Sequence, residues 1–163
     1  MKNFQSKGDD KLLTIIDYEG NPVDMEGYIV NISLPEIQLE TSDTKFFGKK
    51  GKTTRDQGYS PAEFSGELES YNREISMVFL EAEKSKRPLT VQLTMEFNEI
   101  ETGEMQEHTY TMKGKVVKSP MLGQLNGSDY AKFGFMMKIG YYKINDGTSP
   151  TPVWTVENGW EFE

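Results

Sequence analysis

His108 is the single histidine of the chain, and there is no cysteine. Those two counts bound the chemistry early. A thiolate nucleophile is excluded, no disulfide contributes, and a transition-metal site lacks its usual ligands. His108 sits between Glu107 and Thr109 in a strand pattern. It has no nucleophile paired with it, so it reads as a solvent-facing strand residue and not a general base. The stretch Gly48-Lys49-Lys50-Gly51-Lys52-Thr53 has the composition of a phosphate-binding loop but not its spacing, because two residues, not four, separate the glycines. It leads into Gln57-Gly58-Tyr59, so no helix N-terminus would receive a phosphate. Glu96, Glu99, Glu101 and Glu104 crowd one turn where calcium is the candidate ion, yet the Asp/Asn-rich, glycine-turned loop is missing and a solvated hairpin tip is expected. The expectation is a protein with no catalytic residue, no metal and no cofactor, and not an enzyme.

Charge is more informative. The net charge of -8 argues against a protein that grips nucleic acid through its phosphates. Residues 42–58 (SDTKFFGKKGKTTRDQG) run the other way, with five basic and two acidic residues, which leaves the rest of the chain near -11. Phe46 and Phe47 lie together in this segment beside Lys49, Lys50, Lys52 and Arg55. A connection of this length inside a compact domain is usually functional or disordered, and adjacent exposed aromatics call for a partner. A basic, aromatic-tipped arm on an acidic body suits docking onto a second copy, a heterologous contact that propagates into rings or filaments. The other reading is a flexible solubilising loop.

The elements that position this arm follow a period of two. Leu89, Val91, Leu93, Met95 and Phe97 alternate with polar residues, as do Ala62, Phe64, Gly66 and Leu68. Phe133, Phe135, Met137, Ile139 and Tyr141 form the inward set of a long strand, and Tyr110, Met112 and Val116 that of another. Val30, Ile32 and Leu34 share one parity and Ile37 and Leu39 the other, so the strand changes its buried face at Pro35 and is expected to cross between sheets there. One helix is predicted over residues 72–84, with Ile75, Val78, Phe79 and Ala82 on its apolar stripe, Asn72 (or Ser70) as cap and Pro88 as stop. With 163 residues, 36% of them hydrophobic, the chain suits a single domain, 1–163, with a core of its own. No stretch approaches the roughly 18 apolar residues of a membrane span, and the polar N-terminus lacks the apolar run of a signal peptide. A soluble protein made in the cytoplasm, without membrane insertion, is expected.

These landmarks, taken in order, resemble the major tail tube protein of contractile-tailed bacteriophages and of the related phage-tail-like bacteriocins. They are Gly20 and Gly27; Ile32-Ser33-Leu34-Pro35-Glu36-Ile37; the glycine-rich loop with Gly48 and Gly51; and Gly58 before a glutamate-bearing strand, Phe64 to Glu69, and the helix. Pro88-Leu89, Glu101-Thr102-Gly103-Glu104, Met112-Lys113-Gly114-Lys115, Tyr141-Tyr142-Lys143-Ile144 and Asp146-Gly147 follow. The resemblance covers about residues 12–158. It departs at Pro150 and Pro152, where the family has an apolar-acidic strand, which leaves the pairing of the last strand open.

The resemblance implies a mainly β fold of two packed antiparallel sheets, a barrel-like sandwich with one flanking helix and a long protruding loop at 42–58. It implies hexameric rings that stack into a hollow tube, with strands of all subunits joined into one inner barrel and the loop reaching the next ring. Sheath and baseplate proteins would be partners, and DNA would pass through the lumen without specific binding. The place would be the virion tail, assembled in the host bacterial cytoplasm. Glu36 and Glu40 before the loop, and Glu63, Glu67 and Glu69 after it, form unusually acidic polar faces. If these line the lumen, they repel DNA. The alternatives are a type VI secretion-like or bacteriocin tube protein, and a monomeric β-sandwich binding module built around Trp154 and Trp160.

Overall fold

A run that alternates apolar and polar residues buries only one face of its strand, so the sheet it joins must be covered on that side. The computed structural model, which describes residues 4–5, 11–25, 28–44, 53–122, 127 and 131–163, meets that demand by folding one antiparallel sheet into two layers around a shared core. The elements are β1 (Phe4–Gln5), β2 (Lys11–Ile16), β3 (Pro22–Asp24), β4 (Ile29–Ser33), β5 (Leu39–Thr44), β6 (Thr53–Tyr59) and β7 (Ala62–Leu68). After them come α1 (Arg73–Ser85), β8 (Leu89–Glu99), β9 (Met105–Leu122), β10 (Phe133–Asn145), β11 (Pro152–Thr155) and β12 (Gly159–Phe162).

The long strands β9 and β10 belong to both layers. One edge of β10 pairs with β9 from Phe133 to Asn145. Its other edge pairs with β7 from Phe133 to Ile139, then with β11 from Tyr141 to Lys143. β9 divides in the same way, pairing with β8 up to Gly114 and beyond it, among the described residues, with β10 alone. The first layer is therefore β3-β2-β8-β9-β10-β11-β12 and the second is β4-β7-β10-β9. The sheet does not close into a barrel among the described residues.

Between the layers lies one core. Leu13, Ile15, Val91, Leu93 and Met112 come from the first layer and Phe64, Leu68, Phe135 and Met137 from the second. Each such burial contributes about 1.5–3 kcal/mol. The helix adds Ile75, Phe79 and Ala82, three of its four stripe residues, while Val78 is half-buried. Phe79 and Phe135 meet with ring centroids 4.8 Å apart. The Asn72 side chain caps the helix by accepting from the Ile75 N–H at 3.1 Å, and the left-handed Lys86 ends it just before Pro88. Ser119 of β9 donates to Glu83 at 3.0 Å and ties the helix to the sheet.

Several expectations need correction. Tyr141 does not face inward; a register shift between Ile139 and Tyr141 turns the buried side over to Tyr142, and Tyr141 lies outside beneath the Lys113 ammonium. Ile32 and Ile37 both pack on the core, as the parity change requires, and the chain leaves the main sheet over residues 34–38. Leu34 is nevertheless 41% exposed, because β4 ends at Ser33 and no strand turns its side chain inward. Leu39 is exposed as well. The segment that follows is not a structureless loop, since residues 39–44 and 53–59 pair as a separate two-stranded ribbon. The last strands are settled too, with β11 paired to β10 and the C-terminal β12 folded back on β11.

Gly114 marks the point where β9 passes from one layer to the other. A Cβ there would stand 2.1 Å from the Lys138 carbonyl oxygen and 2.9 Å from the Ile139 Cα, both backbone atoms. Gly114→Ala is predicted to destabilise the fold by about 3 kcal/mol or more, seen as a lower urea midpoint at unchanged slope. Gly134→Ala, whose Cβ would meet the Lys118 ammonium at 3.5 Å and the Gly66 carbonyl oxygen at 3.9 Å, both ordinary contacts, should stay within about 1 kcal/mol of the parent. Equal midpoints for the two variants would show that the crossing tolerates a side chain.

Candidate assembly surfaces

The ribbon of β5 and β6 forms an arm that runs from Leu39 opposite Tyr59 out to Thr44 opposite Thr53. At its root β6 carries one extra residue, Gln57, between Gly58 (the partner of Glu40) and Asp56 (the partner of Thr41), and Gly58 at φ 88° takes a bulge conformation that favours glycine. Tyr59 fixes the root to the body. Its ring meets the buried Trp154 edge-on at 5.7 Å and leaves no room for a side chain at Gly159, where a Cβ would approach it to 2.9 Å. Ser60 donates to the Glu40 carboxylate at 2.5 Å across the same root. Arg55 takes its place in β6 opposite Ser42. Phe46, Phe47, Lys49, Lys50 and Lys52 lie outside the described residues.

Glu63, Ser65 and Glu67 alternate with the buried residues of β7 and so share the outward face of the second layer, with Glu69 next in line past the strand end. This face is not uniformly acidic. The register places Lys138 between Glu63 and Lys115, Met136 between Ser65 and Lys118, and Gly134 between Glu67 and Met121. Lys138 forms an ion pair with Glu63. Both are well exposed, so the pair contributes little stability but neutralises Glu63 locally. The lysines come from strands more than fifty residues away in sequence, and no reading of β7 alone would pair them. Glu36 lines a cleft of about 530 Å3 on this side with Leu34, Pro61, Glu63 and Lys138. Glu40 sits apart from it at the arm root.

His108 is half-buried and does not face solvent. Its ring stacks on Phe97 with centroids 4.2 Å apart, because both belong to the inward face of the first layer where it extends past the core. Gln106 donates its amide N–H to the Asp146 carbonyl at 3.1 Å, which turns its oxygen toward His108 Nε2 at 2.9 Å. Nε2 therefore donates to that oxygen, and Nδ1 lies 3.4 Å from the Tyr110 hydroxyl. Glu99, in the acidic turn, is buried and accepts from the N–H groups of Glu101 and Thr102 and from the Thr102 hydroxyl. Its carboxylate serves the turn. Among the described residues no three His, Asp or Glu side chains converge as a metal site requires, and no helix is long and apolar enough to cross a membrane.

No protein-family model matches the chain, and no curated protein matches it. Solved structures do match. A chain of the cryo-EM structure of the anti-feeding prophage (AFP) baseplate, 6-fold symmetrised, is similar over 87% of this chain and 96% of that one, with a TM-score of 0.59 and 12% identity. The crystal structure of Hcp1 from Salmonella typhimurium is similar over 93% of this chain and 99% of that one, at a TM-score of 0.47 and 14% identity. At 12% identity the likeness to the baseplate chain is one of fold.

The aromatic row beyond His108 continues through Tyr110 to Tyr142, 6.2 Å away. Burial raises the Tyr110 hydroxyl pKa, with Asp146 adding to the effect; burial followed by the neighbouring Tyr110 pushes Tyr142 up to about 12. A pKa raised by folding contributes stability that is complete below pH 10, the ordinary tyrosine value, and is lost as pH climbs toward 12. An absorbance titration at alkaline pH should show a late phenolate component near pH 12 that disappears in Tyr142→Phe. Ionisation of all eight tyrosines together near pH 10 with the fold intact would contradict the burial.

Proposed function

We propose that this chain is the repeating subunit of a contractile-type tail tube, a structural and non-catalytic role in which copies join as hexameric rings that stack into a hollow conduit. The observation that carries this reading is the second layer, β4-β7-β10-β9, which is open on both sides. Among the described residues β4 pairs only with β7, and β9 beyond Gly114 only with β10. Each neighbouring pair is antiparallel, so β4 and β9 run in opposite directions. β4 of a second copy can therefore extend the sheet at β9 in the favoured antiparallel sense. Exposed edges are a liability on a lone subunit, and ring closure abolishes them.

The fold shared with a chain of a six-fold symmetrised baseplate supports sixfold closure and a baseplate as neighbour. In such a ring the outward face of the second layer, with Glu63, Ser65, Glu67 and Lys138, lines the lumen, and Glu36, Glu40 and Glu69 flank it. On that wall the β7 glutamates stand beside Lys138, Lys115 and Lys118, so its charge is mixed and it forms no dedicated site for a polyanion, and DNA passes without specific binding. The arm, rigid at Tyr59, carries Phe46, Phe47, Lys49, Lys50, Lys52 and Arg55 toward the next ring. The sheath is the partner expected outside, and the assembled place is the virion tail, built in the host cytoplasm. A bacteriocin or type VI-like tube would use the same surfaces.

Negative-stain electron microscopy of the concentrated protein should show hollow tubes or stacked rings. Monodisperse globules at every concentration, even with a baseplate added as initiator, would remove the tube reading and favour a monomeric binding module. Reversal of the arm charges (Lys49, Lys50, Lys52 and Arg55 each to Glu) should leave the fold and single rings intact while stopping their stacking. Full-length tubes from that variant would show that the arm charges play no part in stacking.

A further inference from the structure

The two open edges of the second layer differ in chemistry, and the difference is complementary. On the β9 side, Lys115 and Lys118 are exposed and have no ion-pair partner among the described residues. Lys115 stands directly opposite Lys138, a like-charge neighbour that disfavours the lone subunit. Val117 of the same strand is exposed, and so are Met77 and Leu80, one turn apart on the outer face of α1, the helix that packs on β9. On the β4 side, Glu36 and Glu40 are exposed and alternate along the chain with Leu34 and Leu39, themselves exposed apolar residues.

We infer that these two strips are the halves of one junction: the Lys115/Lys118 and Met77/Leu80 side of one copy seats against the Glu36/Glu40 and Leu34/Leu39 side of the next. The inference rests on the tube reading and names its partner at residue level, a second copy of this chain. Three arguments select that partner. The basic strip and the acidic strip are opposite in sign on a protein whose overall charge of -8 would otherwise make copies repel. The basic strip belongs to β9 and the acidic strip follows directly on the end of β4 in the chain, and the alternation of strand direction makes the open β9 and β4 edges antiparallel partners. The apolar side chains, between 37% exposed at Met77 and 47% at Val117, are left uncovered beside those edges and would be buried by the same event that pairs the strands. Because the strips differ, the contact is heterologous and leads to a ring, not a closed dimer.

Charge reversal tests the junction. Lys115→Glu and Glu36→Lys, both at exposed positions and checked for native circular dichroism, should each raise the concentration needed for half-assembly by about tenfold or more in sedimentation. The double variant should return it toward the parent value. A second measurement exploits the absence of native cysteine: under oxidation the Leu34→Cys/Leu80→Cys variant should give a ladder of covalently linked copies up to the ring size. Parent rings together with normally assembling single variants, a double variant without rescue, or rings that yield no cross-linked ladder would each overturn the junction and leave the tube reading standing. A parent protein that never assembles would end the tube reading and the junction with it.

Discussion

The ladder between β9 and β10 is the interaction on which the rest of the molecule depends. It runs the whole length of β10, from Phe133 to Asn145, and each strand changes its other partner part-way along. A sandwich of two separate sheets would be held together by side-chain packing alone. Here backbone hydrogen bonds pass continuously from one layer into the other, so the layers cannot slide past each other without breaking the ladder. The passage needs a close approach of the two backbones, met by Gly114 above Lys138 and Ile139, and an irregularity that lets β10 turn, met between Ile139 and Tyr141.

Sharing two strands has a second consequence. Because β9 gives its first half to β8, its second half has, among the described residues, β10 alone, and the second layer as described ends there on one side as it ends at β4 on the other. The subunit thus satisfies its core while two strand edges have no further strand partner among the described residues. Stability and incompleteness come from one topology. The arm follows similar logic: its ladder forms apart from the main sheet, and it is joined to the body at Tyr59, Gly58 and the Glu40–Ser60 bond.

The polar groups that invite a catalytic reading have structural employment. The His108 ring is stacked and hydrogen-bonded on both nitrogens, and the Glu99 carboxylate closes the turn after β8. The charge pattern has its meaning at the surface, where lysines from β9 and β10 stand among the glutamates of β7.

The sequence by itself determined the local elements. Alternation marks β7 and β8 with their buried residues, the Ile75, Val78, Phe79 and Ala82 spacing marks the helix with its Asn72 cap, and the parity change at Pro35 marks the departure from the sheet. Each is legible because one strand or one helix carries the whole signal in a few consecutive residues. What only the tertiary structure decided depends on pairing across distance. Tyr142 replaced Tyr141 in the core because a bulge is a mismatch between two strands, not a property of either. Glu63 acquired Lys138, and the acidic face became a mixed one, because register sets cross-strand neighbours 75 residues apart. The arm became a ribbon because Leu39–Thr44 and Thr53–Tyr59, too polar to show a buried face, draw their order from backbone hydrogen bonds that carry no side-chain period.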